Sequence, residues 1–355
     1  MGSGNDEVDE NSGDSGTDVI KLVGLNSSDV LFSHSGNHLL IQINSTGETL
    51  KIDNQFNGTN GIEQVTFADG STWDRTQIAS AAWFRGTTGN DSITGTSSAD
   101  VFLGGLGNDY LRGNDGADKY IFASGDGNDE IDDQSASTAD VDTLKFTNLN
   151  AGDITLSRSG QHMLVGINAT GETVKIDYQF YSQTANWGIE KFEFADGSSW
   201  NLQTINANAW YRGTSGNDSI TGSSWNETFA GGQGNDYLRG NDGSDTYVYT
   251  SGQGNDEIDD ESSSVTDIDT LRLTDLNASD VTLSRSGDHL FIGVNATGAS
   301  IKVDYQFYSQ SANWGTRRSS SPMAAAGTCR PSMRTPGTGA RRAMTISRAR
   351  HGTTP

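Results

Sequence analysis

Two stretches of the chain place an acidic residue at every ninth position, two residues before an apolar side chain. From Gly86 the frames read GTTGNDSIT, GTSSADVFL, GGLGNDYLR and GNDGADKYI, and from Gly213 they read GTSGNDSIT, GSSWNETFA, GGQGNDYLR and GNDGSDTYV. The acids at the sixth position are Asp91, Asp100, Asp109, Asp118, Asp218, Glu227, Asp236 and Asp245. A shifted fifth turn follows each array and adds Asp129 and Asp256. Carboxylates repeated at one spacing indicate a row of cation sites.

The spacing predicts a short strand around the apolar eighth residue and a six-residue turn before it. When two nonapeptides make one coil, alternate turns stack about 4.8 Å apart, with Asp91 over Asp109 and Asp100 over Asp118. Two carboxylates at that distance repel by about 1 kcal/mol in water and by about 3.5 kcal/mol at an effective dielectric constant of 20, and a cation between them reverses the sign. Carboxylate and carbonyl oxygens in flexible turns suit Ca²⁺ better than zinc or copper.

The glycines of the turns belong to the same prediction, because a residue without Cβ allows positive φ and lets backbone carbonyls crowd around one point. We therefore expect calcium to be held by every aspartate named above. The glycines expected to contribute, at the first and fourth positions of their frames, are Gly86, Gly89, Gly104, Gly107, Gly113, Gly116, Gly213, Gly216, Gly231, Gly234, Gly240 and Gly243.

The elements that carry these turns recur along the chain. RGTTGNDSITG at 85–95 returns as RGTSGNDSITG at 212–222, and YQFYSQTANWG at 178–188 returns as YQFYSQSANWG at 305–315, each 127 residues later. GNDEVDE at 4–10 matches the end of an array, so we expect the chain to be a slice of a longer one.

Alternating strands follow each array. In 142–210 the pattern predicts strands at Asp153–Arg158, His162–Asn168 and Thr173–Phe180, a further strand at 189–200, and a short helix ending at Trp210. The same pattern runs through 18–83 and 269–315.

Composition excludes several classes of protein. Residues 1–315 contain all 46 acids, 15 of the 23 Lys and Arg residues, no Pro and no Cys. Disulfide scaffolds, thiol catalysis and Cys-ligated zinc are therefore excluded there, and the negative field disfavours nucleic acid and anionic membranes. No apolar run approaches the ~20 residues of a membrane span.

The nonapeptides resemble the RTX family, the haemolysin-type calcium-binding β-roll, whose repeat is GGxGxDxUx. The frames at Gly104 and Gly231 match it in full, whereas those at Gly95 and Gly222 lack the middle glycines and Glu227 replaces the aspartate. Calcium binding is expected to be weakest in these second turns. The segments ending at Phe67–Trp73 and Phe194–Trp200 resemble the haemolysin-type calcium-binding-related β domain found beside such repeats. The resemblance implies a bacterial protein exported by type I secretion.

Other residues could suggest different chemistry. His38, His162 and His289 recur at one place in each copy, and we interpret them as the first residues of strands. The aromatic residues of 178–187 could stack on sugar rings, but a core edge or a contact between repeats is the favoured interpretation. The sequence has no GxSxG or HExxH motif and no histidine beside a nucleophile, so no enzyme is predicted.

The final segment differs from the rest. Residues 316–355 contain eight Arg, no acid, all four Pro and the only cysteine, Cys329. With suitable codons, deleting one base from a message for a variant of the repeat after Gly315 reproduces this segment through Arg350, and Met323 and Met333 fall where the repeat asks for Asp-Gly and Asn-Ala. We interpret it as a frameshifted, disordered tail that leaves 263–315 with an uncovered edge, and a nucleic-acid-binding arm is the alternative.

The sequence thus predicts an all-β fold in which a parallel β-roll, a nonapeptide solenoid, alternates with small antiparallel β domains. The expected limits are 1–15 for the end of one roll, 82–135 and 210–262 for full rolls, 16–81, 136–209 and 263–315 (incomplete) for the antiparallel domains, and 316–355 for the tail. The predicted function is a calcium-binding structural module of a large bacterial RTX protein, secreted or at the cell surface, that folds on binding Ca²⁺. The alternatives are an adhesin module that binds surface glycans and the non-catalytic tail of a secreted enzyme. The expected partners are calcium ions, neighbouring repeats and, for the adhesin, glycans.

Overall fold

The computed structural model describes residues 4–10, 16–135, 137–181, 187–264 and 266–308, together with the backbone of 313–314 and 318–320. By their contacts the residues separate into two compact units, Met1–Asn206 and Ala207–Pro355. Short strands in parallel pairs dominate both units, so the predicted all-β fold with parallel β-rolls is confirmed.

Successive strands of the first roll, residues 84–146, alternate between two sheets. One sheet contains, in spatial order, Phe84–Arg85, Val101–Leu103, Lys119–Phe122, Thr143–Phe146, Lys191–Glu193 and Ser199–Asn201. The other contains Ser92–Thr94, Tyr110–Arg112, Asp129–Asp132, Thr173–Ile176, His162–Ile167 and Ile154–Ser159. Within the nonapeptides each strand pairs in parallel with the strand 18 residues later, as Val101 does with Lys119, so two nonapeptides make one coil.

The core of the first roll forms from the eighth residues of the nonapeptides, because alternation turns them inward. Phe102, Leu111 and Tyr120 are at most 3% exposed. The rings of Phe84, Phe102 and Tyr120 stack with centroids 5.2 and 5.0 Å apart, close to the spacing of neighbouring strands.

The strands after residue 146 extend the sheets of the roll. Thr173–Ile176 pairs in parallel with Asp129–Asp132 and antiparallel with His162–Ile167. Thr143–Phe146 likewise continues the other sheet by pairing in parallel with Lys119–Phe122. Within the first unit, the roll and the antiparallel strands therefore share their sheets.

Two of the expected strands are shorter or divided. The third strand ends at Ile176 because the chain turns at Tyr178, where φ is 51°. The segment 189–200 is a hairpin of Lys191–Glu193 and Ser199–Asn201, which turns at Gly197. The expected helix is Leu202–Asn208, and the next strand begins at Trp210.

Residues 16–83 have the same arrangement as the strands that follow the roll. Their strands are Val19–Lys21, Val30–Ser35, His38–Ile43, Thr49–Ile52, Gln64–Thr66 and Thr72–Asp74, and Asp6–Val8 pairs in parallel with Thr49–Ile52. Asp74 caps the helix Arg75–Ala81, whose Ile78 is buried against Val65 and Phe67 in the same core cluster. Single 3₁₀ turns lie at Ser27–Asp29, Ala151–Asp153 and Ala278–Asp280.

The second unit repeats the roll. Its first sheet contains Trp210–Arg212, Thr228–Ala230, Thr246–Tyr249, Thr270–Leu273 and Arg318–Ser320. Its second sheet contains Ser219–Thr221, Tyr237–Arg239, Asp256–Ile258, Ser300–Val303, His289–Val294 and Val281–Ser286. Glu261–Ser262 pairs with Asn313–Trp314. One buried cluster joins the inward residues of the roll, such as Phe229 and Leu238, to Ile301 and Val303.

The edge expected to be uncovered after residue 315 has a partner strand. Arg318–Ser320 pairs in parallel with Thr270–Leu273, in the position that Lys191–Glu193 occupies in the first unit. Backbone N–H and C=O groups form this ladder whatever the side chains are, which is why a segment of unrelated sequence can occupy it. The expectation of a disordered tail from residue 316 therefore does not hold for these three residues, and 321–355 lie outside the described residues.

Candidate metal sites

The acids of the nonapeptides form columns because each coil lies on the one before it. Asp109 Oδ1 accepts a hydrogen bond from the backbone N–H of Asp91 at 2.8 Å, and Asp129 Oδ1 accepts one from Asp109 at 3.0 Å. In the other column Asp118 Oδ1 accepts from the backbone N–H of Asp100 at 2.8 Å. The structure thus brings together the acid pairs that the spacing predicts.

The second roll has the same columns. Asp236 Oδ1 accepts from the backbone N–H of Asp218 at 2.9 Å, and Asp256 Oδ1 accepts from that of Asp236 at 3.1 Å. Asp245 Oδ1 accepts from the backbone N–H of Glu227 at 2.8 Å, so the longer side chain of Glu227 does not interrupt the column of hydrogen bonds.

These acids fall into two groups, according to whether the carboxylate oxygen that does not bond the neighbouring coil has a hydrogen-bond partner. In the first group this oxygen is buried and has no hydrogen-bond partner in the described part of the chain. These oxygens are Oδ2 of Asp109, Asp118, Asp236 and Asp245. A buried charged oxygen without a partner is costly, and a cation beside it removes that cost. These four oxygens therefore mark the places where an ion is stabilised most.

In the second group a residue of the same turn donates hydrogen bonds to this oxygen. Asp91 Oδ2 accepts from the backbone N–H of Thr87 at 2.6 Å and from its hydroxyl at 2.9 Å. The same arrangement recurs at Asp100 with Thr96 and at Asp218 with Thr214. Threonine at the second position of a frame thus provides donors that the inner turns do not have.

Glu227, the one acid that departs from the repeat, belongs to the second group. Its Oε2 accepts from the backbone N–H of Ser223 at 2.8 Å, and the Ser223 hydroxyl donates to Oε1. Because both oxygens have donors within their own turn, we expect a cation to stabilise Glu227 less than it stabilises Asp236.

The glycines at the first position of the inner turns let the free oxygens come close to the backbone, because a Cβ there would collide with them. A Cβ on Gly104 would lie 2.4 Å from Asp109 Oδ2, and a Cβ on Gly113 would lie 2.3 Å from Asp118 Oδ2. Gly231 with Asp236 and Gly240 with Asp245 give 2.4 and 2.3 Å. No side chain fits at such distances, so each free oxygen faces a cradle that only glycine permits.

The remaining glycines have different surroundings. Gly107 and Gly116 have φ values of 123° and 126°, which glycine adopts without strain. Gly234 and Gly243 repeat this conformation at 127° and 117°. A Cβ on Gly86 or Gly213 would lie within 2 Å of the carbonyl oxygen of Gly104 or Gly231. Gly89 and Gly216 differ, because a Cβ there would make only an ordinary contact, at 3.8 or 3.7 Å, with a threonine of the same turn.

Burial raises the pKa values of the inner acids. It raises the pKa of Asp118 and of Asp245 to about 8, with nearby carboxylates adding to the rise and a backbone N–H donor opposing it. Burial also raises the pKa of Asp129 and Asp256 to about 7. The pKa values of Asp109 and Asp236 are raised for the same first cause. Protons and cations therefore compete for these oxygens.

Two acids in each roll were missed by the sequence analysis. Asp133 and Asp142 lie beside Asp118, and Asp260 and Asp269 lie beside Asp245. A signal exists, because Asp142 stands two residues before a buried Leu144 just as Asp118 stands two residues before Tyr120. The interval between the two acids is 24 residues and not 18, so a search for the nonapeptide period passes over it.

The histidines lie at the first residue of a strand, as the sequence predicts. His162 Nδ1 lies between the backbone N–H of Tyr178 at 3.3 Å and Asp177 Oδ1 at 2.7 Å. His38 and His289 repeat these contacts with their own neighbours. Their contacts are therefore with the turn that follows the next strand and not with the columns of acids.

The aromatic residues after the third strand have two different environments. Phe180 is 4% exposed and lies beneath the guanidinium of Arg158, which is 4.0 Å from the ring centroid. Tyr181 is 49% exposed and stacks on Trp187 with centroids 4.4 Å apart. Only the second pair presents aromatic surface to the solvent.

Among the helices that the structure describes, none is both long enough and apolar enough to cross a membrane.

Comparison with protein families finds two matches. Residues 85–120, 206–224 and 226–258 match the RTX calcium-binding nonapeptide repeat, and residues 38–77 and 162–204 match the haemolysin-type calcium binding protein related domain. Among solved structures, the chain is similar to the extracellular lipase LipA from Serratia marcescens, with 17% identity and a TM-score of 0.25, over 63% of this chain and 40% of the lipase chain. No curated protein matches.

Proposed function

Since three segments of this chain match the RTX calcium-binding nonapeptide repeat, we propose that it is a structural module of a secreted bacterial protein that folds as it binds Ca²⁺ outside the cell. One observation carries the proposal. Among the described residues, four carboxylate oxygens in the inner nonapeptide turns are buried without a donor, each against a glycine whose missing Cβ lets the carboxylate approach the backbone.

The donors suit calcium. They are carboxylate oxygens in turns that also bring backbone carbonyls close together, and Ca²⁺ takes six to eight such oxygen ligands in flexible geometry. When bound, Ca²⁺ supplies positive charge that offsets the repulsion within a column. In the first roll the inner acids Asp109 and Asp118 would hold the ions, with Asp91, Asp100 and Asp129 as their column neighbours. Asp236 and Asp245 would do so in the second roll.

Folding on binding follows from the same geometry. The columns exist only when the coils are stacked, so an ion that binds between coils binds the folded chain and stabilises it by mass action. Extracellular calcium modules have dissociation constants of roughly 10⁻⁴–10⁻³ M, so the module would stay unfolded at the low calcium concentration of a cytosol.

Circular dichroism tests the proposal. The chain in EGTA should show little β structure, and excess Ca²⁺ should produce it, whereas the same concentration of Mg²⁺ should not, because Mg²⁺ demands a tighter octahedral site. An unchanged spectrum on addition of Ca²⁺ would reject the proposal.

A second candidate function is an adhesin module that binds glycans. The observation that favours it is the stacked pair of Tyr181 and Trp187, with Tyr181 half-exposed, because aromatic faces can stack on sugar rings. A glycan-array screen of the calcium-loaded chain tests this candidate. Binding that survives Tyr181→Ala would show that the pair is not responsible.

We further propose that this chain has no active site of its own, because the matched families are calcium-binding repeat domains. An enzyme elsewhere in the same gene product is the alternative, and the complete reading frame of the parent gene decides it.

A further inference from the structure

A cluster of three carboxylates lies at the end of each roll. Oxygens of Asp118, Asp133 and Asp142 all lie within 4.8 Å of one another. The three residues are 1%, 0% and 0% exposed. Asp245, Asp260 and Asp269 form the same cluster in the second unit, with exposures of 0%, 1% and 0%.

Each acid has one oxygen with a donor and one without. Tyr120 Oη donates to Asp133 Oδ1 at 2.7 Å, and the backbone N–H of Asp118 donates to Asp142 Oδ1 at 2.7 Å. Asp118 Oδ1 accepts from the backbone N–H of Asp100. The Oδ2 atoms of all three acids are buried and have no hydrogen-bond partner in the described residues. The second cluster also leaves all three Oδ2 atoms without a partner.

The fold explains why these acids meet. Arg112 pairs with Asp132, so the next residue, Asp133, lies over Gly113. A Cβ on Gly113 would come within 2.1 Å of Asp133 Oδ1, so the glycine makes room for this carboxylate. Asp142 takes the place of a sixth-position acid, because the backbone N–H of Thr143 donates to Asp118 O as that of Lys119 donates to Asp100 O. The chain from 133 to 142 therefore adds one more level to the roll, outside the nonapeptide repeat.

We propose that the Ca²⁺ ion held by Asp118 is also bound by Asp133 and Asp142, and that Asp260 and Asp269 complete the site of Asp245 in the same way, so that an aspartate takes the place of the glycine that begins a nonapeptide. The proposal rests on the proposed calcium function but extends two of its sites to acids outside the nonapeptide repeats. Three carboxylates give an oxygen-only site with a formal charge of −3, which favours a hard cation. Since Asp142 directly precedes the strand Thr143–Phe146, an ion here would fasten this last parallel strand to the coil before it.

Calcium stoichiometry tests the sites in the whole chain. Bound Ca²⁺ is counted by calorimetric titration for the wild type, Asp133→Asn, Asp260→Asn and the double variant. We expect one ion fewer in each single variant and two fewer in the double variant, with the calcium-induced change in circular dichroism retained. Asp132→Asn is the matched control, because both Asp132 oxygens already have donors, Tyr110 Oη at 2.5 Å and Gln134 Nε2 at 2.7 Å. This control should keep the full number of ions.

The outcomes separate the two proposals. A double variant that binds as many ions as the wild type overturns the role of Asp133 and Asp260 and leaves the proposed calcium function in place. A wild type that binds no Ca²⁺ overturns the proposed function itself. If the variants do not fold, crystals of the wild type soaked in Tb³⁺ give the answer by anomalous scattering. Density between the three carboxylates supports the sites, and density at the nonapeptide turns alone overturns them.

Discussion

The backbone N–H of Asp91 donates to the carboxylate of Asp109 at 2.8 Å, so an acid in one coil positions the carboxylate of the next. The bond fixes one oxygen of Asp109 and leaves the other, Oδ2, buried without a donor. In the folded roll the main chain thus organises the column. We therefore expect calcium to bind best at the acids with a free buried oxygen, whatever the number of acids in the column.

Neutralising an inner acid should weaken calcium binding more than neutralising Glu227. Asp109→Asn or Asp236→Asn removes a charge whose oxygen has no other partner, whereas Ser223 already supplies donors to both oxygens of Glu227. We expect Asp109→Asn and Asp236→Asn to lower both the stoichiometry and the affinity in calorimetric titration, and Glu227→Gln to change them less. Equal losses in all three variants would show that the register of the sites is wrong.

Adding one methyl group at Gly104 should destabilise the first roll. The new Cβ would lie 2.4 Å from Asp109 Oδ2, so either the backbone of the turn or the Asp109 carboxylate must move. Overpacking of this kind costs about 1–3 kcal/mol of the free energy of unfolding, and Gly104→Ala should lower the thermal midpoint in calcium. Gly89→Ala is the control, since its Cβ would meet only Thr87 Oγ1 at 3.8 Å, and a change within about 0.5 kcal/mol is expected. Equal changes in the thermal midpoint of the two variants would show that the close contact between Gly104 and Asp109 does not matter for stability.

The calcium-free protein should be more stable in mild acid than at neutral pH. Burial raises the pKa of Asp118 and Asp245 to about 8, and that of Asp129 and Asp256 to about 7, in the folded state, above the value of 3.8 for a free side chain. The folded state therefore binds more protons than the unfolded state between about pH 4 and pH 8, and its stability falls as the pH rises through that window.

Circular dichroism of the calcium-stripped chain at pH 5 and pH 8 measures this dependence as the amount of β structure. We expect more β structure at pH 5 than at pH 8. With saturating Ca²⁺ the order should reverse, because ions bind the deprotonated carboxylates. A β signal of the calcium-free chain that rises steadily from pH 5 to pH 8 would be inconsistent with these buried acids.

Introducing an aromatic residue into the last strand should stabilise the second unit. Leu144 pairs with Phe192, which is 0% exposed and packs on Phe146 with centroids 5.5 Å apart. At the same register position of the second unit, Leu271 pairs with Ser319. Ser319→Phe should therefore raise the free energy of unfolding by about 1.5–3 kcal/mol, measured as a higher thermal midpoint in calcium.

The control for this strand is Ser320→Phe. Its register partner is Arg272, and the corresponding pair in the first unit is Lys145 with Glu193, so a ring at 320 has no buried position to fill. If both variants gave the same midpoint, Arg318–Ser320 would not hold the register that the backbone shows.

The nonapeptide period was enough to predict the parallel coils, the inward eighth residues and the pairing of Asp91 with Asp109. These features repeat every 18 residues, so local sequence determines them. The pairing of Asp129–Asp132 with Thr173–Ile176 depends instead on a hairpin that brings together segments about 45 residues apart, and no period in the sequence indicates it. Asp133 and Asp142 were missed for the same reason, since a longer turn separates Asp142 from Asp118.

The ladder from Asp91 to Asp109 to Asp129 has a consequence for the calcium response if the roll folds as proposed. Each level is bonded to its neighbours alone, which is the condition for a one-dimensional chain of coupled steps. Under the proposed function the first ion must order two coils, whereas every later ion orders one, so we expect the first binding step to be the least favourable. We therefore expect a modest rise in calcium to produce an abrupt transition, and a steeper one in rolls with more coils.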